Sequence, residues 1–177
     1  MTFNSTILTV PGLGGSGPQH WQSLWEKEHG FTRINQTDWE TPVCADWTAN
    51  IESAISKHNS ANVILVAHSL ACVAVAYWAK RYKTPIKAAL LVAPADTEAT
   101  SFPEGTTGFL PMPLFKLPFP TIVVASTNDF YVAYARAAFF SDCWGSELIN
   151  AGEAGHINVN SGFGQWDAGL KILKQLD

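Results

Sequence analysis

Residues 6–10, 63–67, 88–92 and 121–125 are apolar at nearly every position. Short runs without alternation mark strands covered on both faces, as in a parallel sheet. Residues 147–149 read as a further, less apolar strand, and residues 31–36 as a weaker one. Between these runs the spacing turns helical. Trp21, Leu24 and Trp25 share one face of a helix expected over 18–29. Trp47, Ile51, Ala54 and Ile55 do the same over 46–58, with Asp46 placed as its N-cap. Residues 70–82 are apolar nearly all round and predict a central helix; 132–142 and 165–176 complete the set. Strands alternating with helices predict a single-domain, three-layer α/β/α architecture with a mainly parallel sheet, one domain over 1–177.

Residues 97–120 break this rhythm. They hold Pro103, Pro111, Pro113, Pro118 and Pro120, and their apolar side chains keep no helical period. Prolines at this density oppose regular structure. Two readings stand for the segment: a surface loop pinned by its own aromatics, or the wall of an apolar substrate site.

Hydrophobic residues make up 47% of the chain and charged residues 15%, which excludes a disordered chain. The formal net charge of −4 lacks the basic footprint of a nucleic-acid binder. The three cysteines are odd in number, widely spaced and without a CxxC pair, so neither a disulfide framework nor a zinc site of that kind is expected. That usage suits a reducing, cytoplasmic compartment. The opening residues carry no basic stretch, and the apolar run over 63–79 is broken by His68 and Ser69, so no secretory leader or membrane span is expected.

Chemistry enters at Ala67-His68-Ser69-Leu70-Ala71, which closes a buried strand and opens an apolar helix. This is the setting of a nucleophile elbow, G-x-S-x-G, with alanine at both outer positions. The tight turn brings strand and helix backbones together, so only the smallest side chains fit there. The alternative is a serine that merely caps the helix. A nucleophilic serine needs a base and the base an orienter, met in the order serine, acid, histidine in this type of sheet. Asp129 and His156 follow later strands in that order. Asp96 is a second candidate for the acid. His68 adjoins the serine, but the turn is expected to point its ring elsewhere. His29 and His58 are expected in solvent, and His20 is left open as a residue facing the site. Glu153 is a candidate to tune His156. Cys44, Cys72 and Cys143 read as packing residues.

The glycine loop Pro11-Gly12-Leu13-Gly14-Gly15-Ser16-Gly17-Pro18 admits two readings. Its N–H groups, chiefly that of Leu13, can join that of Leu70 in an oxyanion hole. Alternatively, Gly12, Gly14 and Gly17 form a dinucleotide fingerprint, with Asp38 lying 21 residues after Gly17 as the ribose-binding acid. Pro18 weighs against the second, because it delays the helix past the third glycine. Pro18-Gln19 stand where a P-loop requires Lys-Ser/Thr.

Taken together, Val10-Pro11-Gly12-Leu13-Gly14-x-Ser16-Gly17-Pro18-x-His20-Trp21, Ala67-His68-Ser69-Leu70, Asn128-Asp129-x-Tyr131-Val132 and Gly155-His156-Ile157-Asn158 resemble the small serine hydrolases related to retinoblastoma-binding protein 9. The resemblance spans nearly the whole chain. It implies a minimal α/β-hydrolase fold without a cap domain, and Ser69 as nucleophile, Asp129 as acid and His156 as base. It also implies cofactor-free, esterase-like activity on small esters or amides. The partner motif L-x-C-x-E is not met, since Leu70-Ala71-Cys72-Val73-Ala74 ends in alanine. No nucleic-acid or membrane partner is expected. The other classes open to the sequence are a catalytically silent binding module on the same fold and a dinucleotide-binding protein.

Overall fold

The computed structural model describes residues 1–177. The strands are β1 (Thr6–Val10), β2 (Thr32–Arg33), β3 (Val63–His68), β4 (Ala88–Val92), β5 (Thr121–Ala125) and β6 (Glu147–Asn150). The helices are α1 (Trp21–His29), α2 (Cys44–Ile55), α3 (Leu70–Tyr82), α4 (Tyr134–Trp144) and α5 (Asp167–Lys174). All six strands lie in one parallel sheet in the order β2-β1-β3-β4-β5-β6. No helix is long and apolar enough to cross a membrane.

The strand pleat divides the core into two layers. Leu8, Val10, Leu65, Ala67, Leu91 and Val123 face α2, α3 and α4. Ile7, Ile64, Val66, Leu90, Ile122 and Val124 face α1 and α5. Both sides of β3, β4 and β5 are thus buried, which is why their sequences do not alternate. The second layer is closed by Trp21, Trp25 and Trp166, whose rings pack 4.6–5.8 Å apart.

Several boundaries differ from those the sequence predicts. The first helix begins at Trp21 rather than residue 18, because residues 17–20 form a turn and His20 is the N-cap, its Nδ1 accepting the Gln22 N–H at 3.2 Å. The second begins at Cys44, and Asp46 lies in its first turn; Val43 occupies the cap position with no side-chain hydrogen bond. β2 has two residues, α4 starts at Tyr134 and α5 spans Asp167–Lys174. Of the 97–120 segment, Phe109, Met112, Leu117 and Phe119 are buried in the core layer beside α3. Thr107 bridges to Val43. Most of the segment is therefore pinned by its own apolar side chains.

Strand order reverses between β1 and β3, with β2 on one side and β4 on the other. Ligands of open α/β sheets bind in the crevice at such a point, beyond the carboxyl ends of the strands. The glycine loop leaves β1 there and Ser69 leaves β3 beside it.

Candidate active site

Ser69 sits at φ 56° and ψ −125°, a conformation that L residues rarely hold. Its N–H donates to Val92 O at 2.9 Å, and its carbonyl accepts the Cys72 N–H at 3.0 Å. The strained turn is thus fixed from both sides. The Ser69 hydroxyl makes no capping bond to α3. Instead its Oγ lies 2.9 Å from His156 Nε2. The flanking Ala67 and Ala71 are fully buried, so the elbow forms with alanines in the outer positions. Its close neighbour is Gly12, where a Cβ would stand 2.8 Å from His68 O and 2.9 Å from Ser69 Cβ. Only glycine lets the first loop approach the elbow this closely.

His156 and Asp129 arrive from the loops after β6 and β5. His156 Nδ1 lies 2.8 Å from Asp129 Oδ2 and 3.0 Å from Oδ1. The Asp129 side chain is fully shielded from solvent, and its Oδ1 also accepts the Tyr131 N–H at 2.8 Å. The two loops are tied together by residues that sequence reasoning did not single out. Asn128 Oδ1 accepts the Gly155 N–H at 2.7 Å, and Ser126 Oγ accepts the Ala154 N–H at 2.9 Å. Their signal in the chain is polar side chains soon after a buried strand and, for Asn128, its place in the Asn128-Asp129-x-Tyr131-Val132 motif. The histidine loop is further held by His156 N–H donating to Ser161 Oγ at 3.0 Å.

A second latch holds the glycine loop. The buried Gln22 donates through Nε2 to Val10 O at 3.2 Å and to Val66 O at 3.0 Å, and accepts from Ser16 Oγ at 2.6 Å. It joins the ends of β1 and β3 to the loop. Arg33 supports the same loop by donating to Ser16 O at 2.9 Å while pairing with Glu26.

The elbow opens into a cavity of about 180 Å³. Leu13 and Leu70 line it, and neither backbone N–H is taken by a protein acceptor. Phe102 and Pro103 form a wall, so this part of the 97–120 segment does reach the site. No three His, Cys, Asp or Glu side chains come together in a way that could hold a metal ion.

The other candidates fall elsewhere. Asp96 makes a two-pronged pair with Arg136, at 2.7 and 3.0 Å, and has no contact with His156. Glu153 is exposed and hydrogen-bonds to nothing, so it does not tune His156. Asp38 spends both carboxylate oxygens within its own turn, on Glu40 and Thr41. Burial pushes the Cys44 thiol up to about 12 and that of Cys72 higher still; nothing there activates a thiolate. Cys143 is half-buried and unpaired. The Leu70–Ala74 segment is wholly buried on α3. His58 is exposed as expected, but His29 is half-buried against Phe3 and Phe31.

His68 corrects the sequence expectation most clearly. Its ring does not turn away from the site. It lies 4.9 Å from both His156 and His20, and its Nε2–H donates to His156 O at 2.9 Å. His68 thus holds the His156 backbone in place. Burial first, then the charges of His156 and His20, hold its pKa well below the usual histidine range. Burial first, then Arg33 and His156, lowers His20 to about 4. The unfolded chain therefore binds protons on these rings, below pH 6.5, that the folded chain refuses. The stability they supply is full above pH 6.5 and is lost as pH falls toward 4. Urea unfolding should accordingly show a loss of about 2 kcal/mol from His20 between pH 7 and pH 5, with His68 adding in the same direction. A midpoint unchanged over that range would contradict the burial of neutral rings.

A family model described as serine hydrolase matches residues 7–175. The crystal structure of a protein designated a YdeN-like hydrolase, from Pectobacterium atrosepticum, is 34% identical. It superposes with a TM-score of 0.84 over 97% of this chain and 89% of that one. The ydeN gene product of B. subtilis is 18% identical with a TM-score of 0.74, over 98% of each chain. Esterase 2 of Thermogutta terrifontis is 16% identical with a TM-score of 0.70, over 98% of this chain and 82% of that one. The last two likenesses are of fold. No curated protein matches the sequence.

Proposed function

The chain belongs to the serine hydrolase family, and within it we propose a carboxylesterase-like enzyme that cleaves small carboxylic esters, and activated amides, through an acyl-enzyme. The observation that carries this reading is the relay Ser69 Oγ to His156 Nε2 at 2.9 Å and His156 Nδ1 to Asp129 Oδ2 at 2.8 Å. Both contacts are within the reach that proton transfer requires.

Ser69 Oγ attacks the ester carbonyl carbon while His156 Nε2 takes its proton. Asp129 accepts the Nδ1–H, keeps the proton off Nε2 beforehand and stabilises the imidazolium afterwards. The carbonyl oxygen becomes an oxyanion facing the Leu13 and Leu70 N–H groups. Such donors contribute about 3 kcal/mol each to the transition state. Collapse breaks the carbon–oxygen bond, and His156 hands its proton to the leaving alkoxide. Water, deprotonated by the same Nε2, then adds to the acyl carbon, and collapse breaks the bond to Ser69 Oγ, which takes the proton back from Nε2 as the acid leaves. Each step is a polar shift of electron pairs coupled to one proton transfer and calls for no redox group. A cavity of about 180 Å³ walled by Phe102, Pro103, Leu13 and Leu70 suits acyl groups of a few carbons. An apolar cavity of roughly 150 Å³ accommodates benzene. Three free cysteines suit a reducing, cytoplasmic setting.

Incubation with a fluorophosphonate, read by intact mass, tests the reading. A single adduct is expected, absent in Ser69→Ala. No adduct on folded protein would favour a binding module on this fold.

A further inference from the structure

Once the Ser69 relay and the two backbone donors are assigned, His20 remains as a polar group of the cavity with no role. It is 6% exposed, wedged between Trp21 at 5.2 Å and His68 at 4.9 Å. Its Nδ1 accepts the Gln22 N–H, so the neutral ring carries its proton on Nε2. Burial and the nearby Arg33 keep the ring neutral at ordinary pH. That Nε2–H has no acceptor in the protein, yet it is not among the sealed, unpartnered atoms of the interior. The opening that His20 lines is the cavity that holds Ser69. His68 cannot act in its place, because its Nε2–H is spent on His156 O. Asn158 lines the same cavity; its Oδ1 is engaged by Ser161 and its Nδ2 is free. No Lys or Arg lines the cavity, so what these donors meet is a neutral oxygen rather than a carboxylate.

We propose that His20 reads the substrate: its Nε2–H donates to a second oxygen of the ester, beyond the scissile carbonyl, and so selects oxygenated small esters over plain alkyl ones. This rests on the esterase reading of the site. The second oxygen is an ether, hydroxyl or keto oxygen carried by the acyl group or by the alcohol. The donor is fixed in place before substrate arrives, by the cap bond at Nδ1 and the two flanking rings. An ester lacking the acceptor leaves that donor desolvated and unpaired, and this is what sets the discrimination.

The experiment compares isosteric esters that differ by one oxygen. In the acyl arm they are nitrophenyl methoxyacetate and nitrophenyl butyrate; in the alcohol arm, 2-methoxyethyl acetate and butyl acetate. Intrinsic reactivity cancels when the kcat/KM ratio within a pair is compared between proteins. His20→Asn keeps an acceptor for the Gln22 N–H but places no donor at Nε2. His20→Gln places a donor there and gives up the cap. In at least one arm, His20→Asn should lower the oxygenated-to-plain ratio about threefold to tenfold, and His20→Gln should restore it despite a lower Tm. A purely structural His20 would give the reverse: loss with Gln and none with Asn. Ratios unchanged in His20→Asn in both arms would overturn the proposal. Binding of the same esters to Ser69→Ala, followed by NMR titration, decides the point without turnover. If the wild type cleaves no ester, the esterase reading fails. The affinity ratio in Ser69→Ala, with and without His20→Asn, then still supports or overturns the role of His20.

Discussion

Ser69→Ala is expected to lower kcat/KM for a small nitrophenyl ester by about 10⁴-fold or more, with the fold intact. The loss is large because, in the proposed mechanism, the hydroxyl forms the covalent bond, and no neighbour can stand in for it. Cys72 lies buried beneath the elbow with its thiol turned to Ala67 O and Val92 O. The His68 ring is committed to the His156 carbonyl. What remains in the variant is the oxyanion site and the cavity, which still favour attack by water. The cost to stability is small. Ser69 makes no cap on α3, and its hydroxyl contributes one hydrogen bond, to His156. Removing it should cost about 1 kcal/mol, a shift of a few degrees in Tm. The positive φ at position 69 persists with alanine, held by the Val92 and Cys72 bonds. Paired kinetics and thermal melts check both halves. An alanine variant that turns over ester within tenfold of the wild type would remove Ser69 from the mechanism.

The three residues of the relay were legible because each follows a strand whose apolar run is unmistakable, in an order the parallel sheet dictates. β3, β5 and β6 end at His68, Ala125 and Asn150, and Ser69, Asp129 and His156 follow shortly after them in turn. Strands buried on both faces carry the strongest pattern, so they were placed almost to the residue. β2 lies at the sheet edge with two residues, inside the 31–36 stretch whose weaker pattern predicts a strand without fixing its ends. Helix starts were less legible. Asp46 has the chemistry of a cap, but the bridge between Val43 and Thr107 starts the helix two residues earlier. A contact between segments more than sixty residues apart leaves no local trace. The same holds for His68. Its chain position suggested a ring turned from the site, whereas packing against His20 and His156 sets its direction. Gln22 reads locally as a helix-surface amide, and only the closeness of β1 and β3 makes it a buried latch. Local pattern thus fixes which residues arrive at the sheet edge, and tertiary packing decides what holds them there.

That division bears on Asp129→Asn, the substitution for which the structure gives the sharpest expectation. The side chain is fully shielded and serves two donors at once, the Tyr131 N–H on Oδ1 and His156 Nδ1 across both oxygens. Asparagine fills the same space. Its carbonyl oxygen must stay on the Tyr131 N–H, which can only donate, so its NH₂ is left facing His156 Nδ1. An NH₂ facing Nδ1 must meet a lone pair, and the imidazole then carries its proton on Nε2, toward Ser69. In that tautomer Nε2 cannot accept the serine proton. The same reversal in a serine protease costs about 10⁴-fold in kcat, and a loss of that order is expected here. Substrate contacts are untouched, so KM should move little. The fluorophosphonate adduct should form correspondingly slowly, since labelling needs the same proton transfer. Stability should change by less than about 2 kcal/mol, because one charged hydrogen bond becomes a neutral one without loss of packing. Histidine ¹⁵N shifts give an independent readout, with the proton of His156 moving from Nδ1 in the wild type to Nε2 in the variant. A variant that keeps its kcat would show that the buried carboxylate does not set the tautomer of the base.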